Sequence, residues 1–424
     1  MTTESIEDSN SPTAWFKEMT PPERRTFWAC FSGWGLDAMD VQIYSFVIPT
    51  LLALWGLTNA QAGQLATVTL LCSAVGGWAA GLLADRIGRV RTLQLTILWF
   101  SVFTFLSGFA QSYEQLFIAR ALMGFGFGGE WAAGAVLMGE VIRPQHRGKA
   151  VGSVQSGWAI GWGVAAIAAT VLFQLFDPTV AWRYLFFIGI LPAGLVFFLR
   201  RFVDEPPVFA ETQRRIAQTG DRPGLLEIFS GPVLKTTILT SLLATGAQGG
   251  YYAVTTWLPT YLKTEKGLSV LNTGGYLAVI IAGSFTGYLV GAYLADRIGR
   301  RMLFFVFSLC AIAVVFAYTS LDIDNTTMLF LGFPLGFFGS GYFSGVGAFL
   351  TELFPTRVRG SGQGFAYNFG RGVGALFPSL VGTLSATMPL GRAIGLFAVA
   401  AYALLFIAAL ALPETKGKTL HADG

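Results

Sequence analysis

Between Thr26 and Leu412 one apolar stretch of about 20 residues or more follows another, and that length is what an α-helix needs to cross roughly 30 Å of hydrocarbon. This pattern makes the chain a polytopic helical membrane protein. Composition agrees: 12% of the 424 residues are charged and 53% hydrophobic, with a mean hydropathy of +0.58, whereas an ordinary globular chain carries about 25% charged residues. So few charges cannot cover a water-facing surface, which excludes a soluble multidomain enzyme and a disordered scaffold. Cys30, Cys72 and Cys310 are widely spaced, each inside an apolar stretch, so they read as inert packing residues and not as a disulfide framework. The net charge of +4 does not indicate nucleic acid, because the basic residues sit in short loops and not on one patch or helix face.

Twelve helices are expected, over residues 26–52, 59–84, 90–110, 114–141, 148–175, 182–201, 234–262, 270–294, 302–321, 326–353, 360–387 and 390–412. Many exceed the length needed to span, which permits tilt without fixing it. The polar, partly acidic residues 1–25 are expected as a cytoplasmic tail and not a cleaved signal. Placing both termini in the cytoplasm puts 22 of the 28 basic residues inside, a strong positive-inside bias. The expected organisation is an N-terminal six-helix bundle over 26–201, a cytoplasmic linker over 202–233, a C-terminal six-helix bundle over 234–412 and a cytoplasmic tail over 413–424.

The heptapeptide Leu-Ala-Asp-Arg-Ile-Gly-Arg occurs at Leu83 to Arg89 and again at Leu294 to Arg300, an offset of 211 residues. Glu140, Arg147 and Gly148 recur at an offset of 212 as Glu352, Arg359 and Gly360, with Pro144 and Pro355 between them. The chain therefore reads as two copies of one six-helix unit.

Gly81-Leu-Leu-Ala-Asp85-Arg86-Ile-Gly88-Arg89-Val-Arg91 resembles the loop 2–3 signature of the major facilitator superfamily. Arg120 with Gly124, Gly126 and Gly128 resembles its fourth-helix motif, and Pro413-Glu414-Thr415-Lys416-Gly417 resembles the tail of its metabolite and sugar branches. The resemblance covers essentially the whole chain. It implies two pseudo-symmetric bundles that rock about a central site, and a monomer. Within the superfamily, Leu36-Asp37-Ala38-Met39-Asp40 resembles the Asp-Gly-x-Asp element of the aromatic acid:proton and sialate:proton symporters, with Ala38 in place of the glycine. Trp15 to Arg25, Gly128-Gly129-Glu130 and Tyr367-Asn368-Phe369-Gly370-Arg371 are also similar to that group. The substrates this implies range from benzoates and nicotinate to sialic acid.

Asp37 and Asp40 lie near the middle of the first helix, three residues apart and on one face with Gly33 and Tyr44. Two mid-bilayer carboxylates are costly, and burial with mutual repulsion favours a held proton, which suits proton coupling better than a purely structural ion pair with Arg120. Glu130 is ten residues from Arg120 on the fourth helix, about 15 Å along the axis, so the two cannot pair directly. Glu130 is a second proton site or a hydrogen-bonding partner of helix 1 or 5, and Arg120 has a structural or coupling role. Arg371 sits mid-helix with Gly364, Tyr367 and Asn368 on its face and no acid in the middle of helices 7, 8, 10 or 11, so it is the expected ligand of a substrate carboxylate. Gln155, Trp158 and Trp162 on helix 5, Gln248, Tyr251 and Tyr252 on helix 7, and Tyr288 on helix 8 could complete the cavity, although any single aromatic, Trp162 and Tyr342 among them, is more often a packing residue.

Asp85, Arg86, Arg89, Glu140 and Arg147, with their counterparts Asp296, Arg297, Arg300, Glu352 and Arg359, are expected at cytoplasmic helix ends, where charge pairs can hold a gate shut and break on rocking. The glycines at 124, 126, 128 and 129 read as close helix packing. His146 and His421 fall in a cytoplasmic loop and the tail, no cysteine pair has metal-ligand spacing and no nucleotide-binding loop occurs, so no enzyme, cofactor or metal is expected and energy comes from a gradient.

The expected function is import of a small organic acid anion with protons across a bacterial cytoplasmic membrane. Sodium coupling and proton-coupled antiport remain alternatives; against antiport, helix 5 has no proline between Arg147 and Asp177, whereas the antiporter branches carry a Gly-Pro element there. A sensor would need a soluble output domain that neither the tail nor the linker supplies, and a channel would show unsaturable flux.

Overall fold

A helix satisfies its backbone hydrogen bonds within its own segment, which is why apolar runs of this length fold as helices in lipid. A computed structural model describes residues 14–143, 147–205, 227–355 and 358–416, and among them there is no strand. The passes in chain order are α1 (Pro21–Trp55), α2 (Asn59–Ile87), α3 (Arg89–Ser107), α4 (Tyr113–Val141), α5 (Arg147–Gln155 and Gly157–Leu175), α6 (Pro178–Ile188 and Ala193–Phe202), α7 (Gly231–Thr264), α8 (Val270–Ile298), α9 (Arg300–Ser320), α10 (Asn325–Gly341 and Phe343–Leu353), α11 (Arg359–Gly374 and Leu376–Leu384) and α12 (Leu390–Ala411). They form two pseudo-symmetric bundles of six. Nine described helices are long and apolar enough to cross a membrane on composition alone. The other three passes, α4, α7 and α11, hold Arg120 with Glu130, a run of threonines and glutamine, and Arg371.

Two departures from the expected spans have local causes. The first helix starts at Pro21 and not at 26, because Thr20 and Glu23 form a capping box and prolines occupy the first turn. Glu23 also accepts from the backbone N–H and Nε of Arg143, each at 3.0 Å, which ties this start to the end of α4. Four passes are broken and not continuous. In α6 Pro192 cannot donate to Ile188, whose carbonyl takes the Leu191 N–H at 2.9 Å instead, and in α11 Pro378 follows the break at Ala375. The breaks at Ser156 in α5 and Tyr342 in α10 have no proline beside them.

Within each bundle the tightest contacts run backbone to backbone through glycine. A Cβ on Gly128 of α4 would stand 1.7 Å from the Ser73 carbonyl of α2, and one on Gly124 would stand 2.2 Å from that of Thr69. The second copy repeats this: Gly336 of α10 would meet the Ile280 carbonyl of α8 at 1.8 Å, and Gly283 of α8 the Phe333 carbonyl of α10 at 2.0 Å. The two halves meet along α1 with α7, α2 with α11 and α5 with α8. At the end away from the duplicated loops, Asn59 Nδ2 donates to Ser385 Oγ at 2.9 Å and Thr67 Oγ1 to the Ala375 carbonyl at 2.6 Å, joining α2 to α11 and its following turn.

Gly128→Ala is expected to destabilise the protein by about 1–3 kcal/mol, the usual cost of overpacking a close contact. Gly275→Ala, where a Cβ meets nothing within 4 Å, is expected to be neutral or stabilising. Thermal unfolding of both variants in detergent checks the opposite signs.

Candidate functional site

Five charged side chains are buried in the middle of the molecule: Asp37 and Asp40 at 0% exposure, and Arg120, Glu130 and Arg371 at 1%. They divide into two groups. Arg371 of α11 stands within electrostatic reach of Asp37 on α1 and Glu130 on α4, beside Tyr252 of α7 and Tyr367, so the C-terminal half supplies the cation and the N-terminal half the acids. Its guanidinium lies over the rings of Phe127 (4.9 Å) and Tyr367 (5.2 Å). Glu130 reaches α1 because Gly33 has no side chain: a Cβ there would fall 2.3 Å from Glu130 Oε1.

The second group is Arg120 of α4 with Asp40 and Thr104. Arg120 lies over the rings of Tyr44 (5.2 Å) and Phe186 (5.9 Å), and the Tyr44 hydroxyl donates to the Ala62 carbonyl at 2.6 Å. A cavity of about 20 Å³ opens beside Arg120, walled by Gln42, Ser45 and Thr69 from one half and by Tyr252, Thr255 and Thr256 from the other. That is room for a water molecule and not for an organic acid.

Hydrogen bonds are conspicuously lacking at these charges. Both carboxylate oxygens of Asp37 and of Asp40, Oε1 of Glu130, and Nε and Nη1 of both Arg120 and Arg371 have no hydrogen-bond partner among the described residues. Buried polar atoms are normally paired, and leaving charged ones unpaired costs more than leaving neutral ones. Chemically, such carboxylate oxygens can take a proton and such guanidinium N–H groups can donate to a polar ligand.

Of the remaining residues expected from sequence, Trp158, Tyr251, Tyr252, Tyr288, Gln248 and Tyr367 interact with one another or with Arg371, and Asn368 does not join them. Trp158 of α5 donates from Nε1 to the Tyr251 hydroxyl of α7 at 2.5 Å, and Gln42 Nε2 approaches the same oxygen at 3.5 Å, so α1, α5 and α7 meet at one phenol. Gln248 donates to the Tyr367 carbonyl at 2.9 Å and leaves Oε1 unpartnered. Gln155 is buried just before the break in α5, and Tyr288 is buried beside Ser340. Asn368 points away: its amide donates to the Gly364 carbonyl and covers Gly77 of α2. Trp162 and Tyr342 are fully buried, and the Tyr342 hydroxyl donates to the Ala247 carbonyl at 2.7 Å within one half, a packing role. Sequence reasoning passed over Gln42, Thr255, Thr256 and Phe127; the signal for Gln42 was a polar residue two positions after Asp40 in an apolar helix.

At the end carrying the duplicated loops, the two copies build the same brace. A single glycine joins α2 to α3 and α8 to α9, at φ 106° for Gly88 and 100° for Gly299, backbone that favours glycine. Arg89 binds Glu140 through Nε and Nη2 at 3.2 and 3.1 Å, and Arg300 binds Glu352 at 3.0 Å and Asp296 at 2.7 Å. Glu205 accepts the backbone N–H groups of Arg89, Val90 and Arg91, as Glu414 accepts those of Arg300 and Arg301. Each carboxylate thus caps a helix N-terminus of its own half. These pairs join helices within one half, where the sequence suggested contacts that shut a gate. Arg297 stacks on Tyr293 at 4.6 Å. The side chains of Asp85, Arg86, Arg147 and Arg359, and residues His146, 206–226 and His421, lie outside the described ones.

The comparisons with known proteins agree with this architecture. Residues 30–378, and again 281–423, match the Major Facilitator Superfamily. The chain belongs to that superfamily. As a member it is a membrane transporter of small molecules and not an enzyme. It is 46% identical to a probable 4-methylmuconolactone transporter of Cupriavidus pinatubonensis, over 97% of this chain and 95% of that one. It is 32% identical to the cis,cis-muconate transport protein of Acinetobacter baylyi, over 88% of this chain and 89% of that one. Among solved structures it resembles the proton:xylose symporter XylE bound to 6-bromo-6-deoxy-D-glucose, with a TM-score of 0.74 at 20% identity, covering 94% of this chain and 98% of that one.

Burial acts to raise the Glu414 pKa, but the N–H groups of Arg300, Lys416, Arg301 and Thr415 outweigh it and hold the carboxyl below the usual range. A depressed folded-state value stabilises above the ordinary carboxylate range, and that contribution is lost as pH falls through the folded value. Glu414→Gln is therefore expected to lower the melting temperature at neutral pH, with the gap to wild type closing on acidification, as a Tm-against-pH series would record.

Proposed function

We propose that the protein imports a small organic acid anion, an aromatic or related carboxylate, together with protons by alternating access. The observation that carries this reading is Arg371: a fully buried cation of one half whose neighbouring acids, Asp37 and Glu130, belong to the other half and whose Nε and Nη1 have no partner. A substrate carboxylate can accept from these free guanidinium N–H groups, whose planar array lysine cannot present. Its negative charge beside Asp37 and Glu130 is tolerable once a proton neutralises one of them. Proton and anion then favour each other's binding, which is the thermodynamic requirement of symport. The relatives named for muconolactone and muconate, and others of 28% identity named for niacin and sialic acid, support a carboxylate cargo.

The roles follow from position. Asp37, Asp40 and Glu130 are the proton-carrying set, with Arg120 coupling Asp40 to it; Tyr252, Tyr367, Trp158 and Tyr251 shape the substrate space. The bundles 26–201 and 234–412 rock against each other, with the loop end carrying Arg89 and Arg300 facing the cytoplasm together with residues 1–25, 202–233 and 413–424. The braces Arg89–Glu140 and Arg300–Glu352 keep each bundle rigid at that end during the motion.

Liposomes holding a pH dye, with protein-free vesicles as control for passive entry of weak acids, test the proposal. Protein-dependent acidification on adding a carboxylate is the expected result; uptake of labelled acid without acidification would point to sodium coupling or exchange and remove Asp37 and Asp40 from the proton role. Arg371→Lys is expected to weaken substrate binding roughly ten- to a hundredfold. The double variant Asp37→Asn, Asp40→Asn is expected to lose accumulation against a gradient, and retained accumulation would sink the proton assignment.

A further inference from the structure

Arg120 is buried as deeply as Arg371, and an ion pair with Asp40 does not occupy it: Nε and Nη1 have no acceptor, and neither oxygen of Asp40 has a donor among the described residues. The Tyr44 and Phe186 ring centroids lie 5.2 and 5.9 Å from the guanidinium carbon, contacts that give Nε and Nη1 no oxygen acceptor. Tyr252 links the two arginines, for it walls the cavity beside Arg120 and also stands next to Arg371 and Asp37. Along α4, Arg120 precedes Phe127, the ring under Arg371, by seven residues, about 10 Å of helix. Gln42, Ser45, Thr255 and Thr256 line the cavity beside Arg120. Because that wall is shared between the halves, their rocking is what enlarges a cavity now the size of one water.

We infer that the site is two-ended: Arg371 takes a carboxylate, and Arg120 takes a second oxygen acceptor, a carboxylate or a lactone carbonyl, at the far end of the same molecule. The inference rests on the reading of Arg371 as carboxylate ligand. It makes Arg120 a specificity-determining residue, selecting acids with acceptors at both ends over acids with one. An acid that reaches only Arg371 leaves the second fork desolvated and unpaired, the situation in which a polar site discriminates most strongly.

The test is calorimetric titration of the purified protein in detergent with three probes: hexa-2,4-dienedioate, the five-membered lactone acid formed from it, and hexa-2,4-dienoate, which keeps the chain and lacks the second end. Wild type is expected to bind at least one two-ended probe about tenfold or more tightly than hexa-2,4-dienoate. The diacid and lactone arms tell an anionic far end from a neutral one. Arg120→Gln is expected to bring the ratio of affinities to about one, whatever the absolute values, and Thr256→Val to narrow it about threefold. A ratio near one in wild type overturns the inference alone, as does a ratio that Arg120→Gln leaves intact. Should Arg120→Gln fail to fold, the wild-type ratio and Thr256→Val still decide. Binding of none of the three probes would overturn the carboxylate reading of Arg371 and this inference with it.

Discussion

Charge buried in a low-dielectric interior must find compensation, and here neither half of the molecule holds enough of its own. Arg371 enters from α11 into a half with no acid at that depth, while Asp37 and Glu130 sit on helices of the opposite half. Packing the two halves together brings the opposite signs near one another, so electrostatics favours contact between the halves. Yet the charges stop short of full pairing, since several carboxylate oxygens and guanidinium nitrogens keep no hydrogen bond. Buried charged atoms left in this way are where a proton or an anion would bring compensation.

The mechanical design follows from where the contacts are tightest. Inside each half, α2 against α4 and α8 against α10 touch backbone to backbone at glycines, and such contacts cannot slide without separating. Arginine–carboxylate pairs and carboxylate caps add fixed geometry at one end of each half. Between the halves, α2 and α11 also meet at glycines, where a Cβ on Gly63 would stand 2.5 Å from the Pro378 carbonyl and one on Gly382 2.3 Å from that of Asn59. Single hydrogen bonds such as Thr67 to Ala375, and a shared phenol at Tyr251, add to that seam.

The duplication at an offset of 211 residues predicted this construction and the structure extends it. The repeat was legible in Leu83 to Arg89 and Leu294 to Arg300, because loop residues that make specific ion pairs resist drift in spelling. Glu205 and Glu414 cap equivalent helices, but their surroundings, Asp204-Glu205-Pro206 and Pro413-Glu414-Thr415, share little beyond the carboxylate and a proline. Their kinship is visible only in the N–H groups they accept. The broken passes divide in the same way. Pro192 and Pro378 announce a lost donor, whereas the breaks at Ser156 and Tyr342 have no such marker in the sequence.

By itself the sequence determined the class of molecule, the number of passes and the short list of charges that could carry function, because each of these follows from local energetics: an apolar run of sufficient length must be a helix in lipid, and a charge inside one must have a reason. Asp37, Asp40, Arg120, Glu130 and Arg371 were all legible on that ground. Which acid faces which arginine was not, since that depends on how six helices of one half meet six of the other. Arg371 looked solitary when only its own half was searched, and the cavity wall of Gln42, Thr255 and Thr256 looked like ordinary polar residues until two helices, α1 and α7, brought them to one place. Only the tertiary structure sorts the five charges into two groups, because side chains distant in the chain become neighbours only when the helices carrying them are packed.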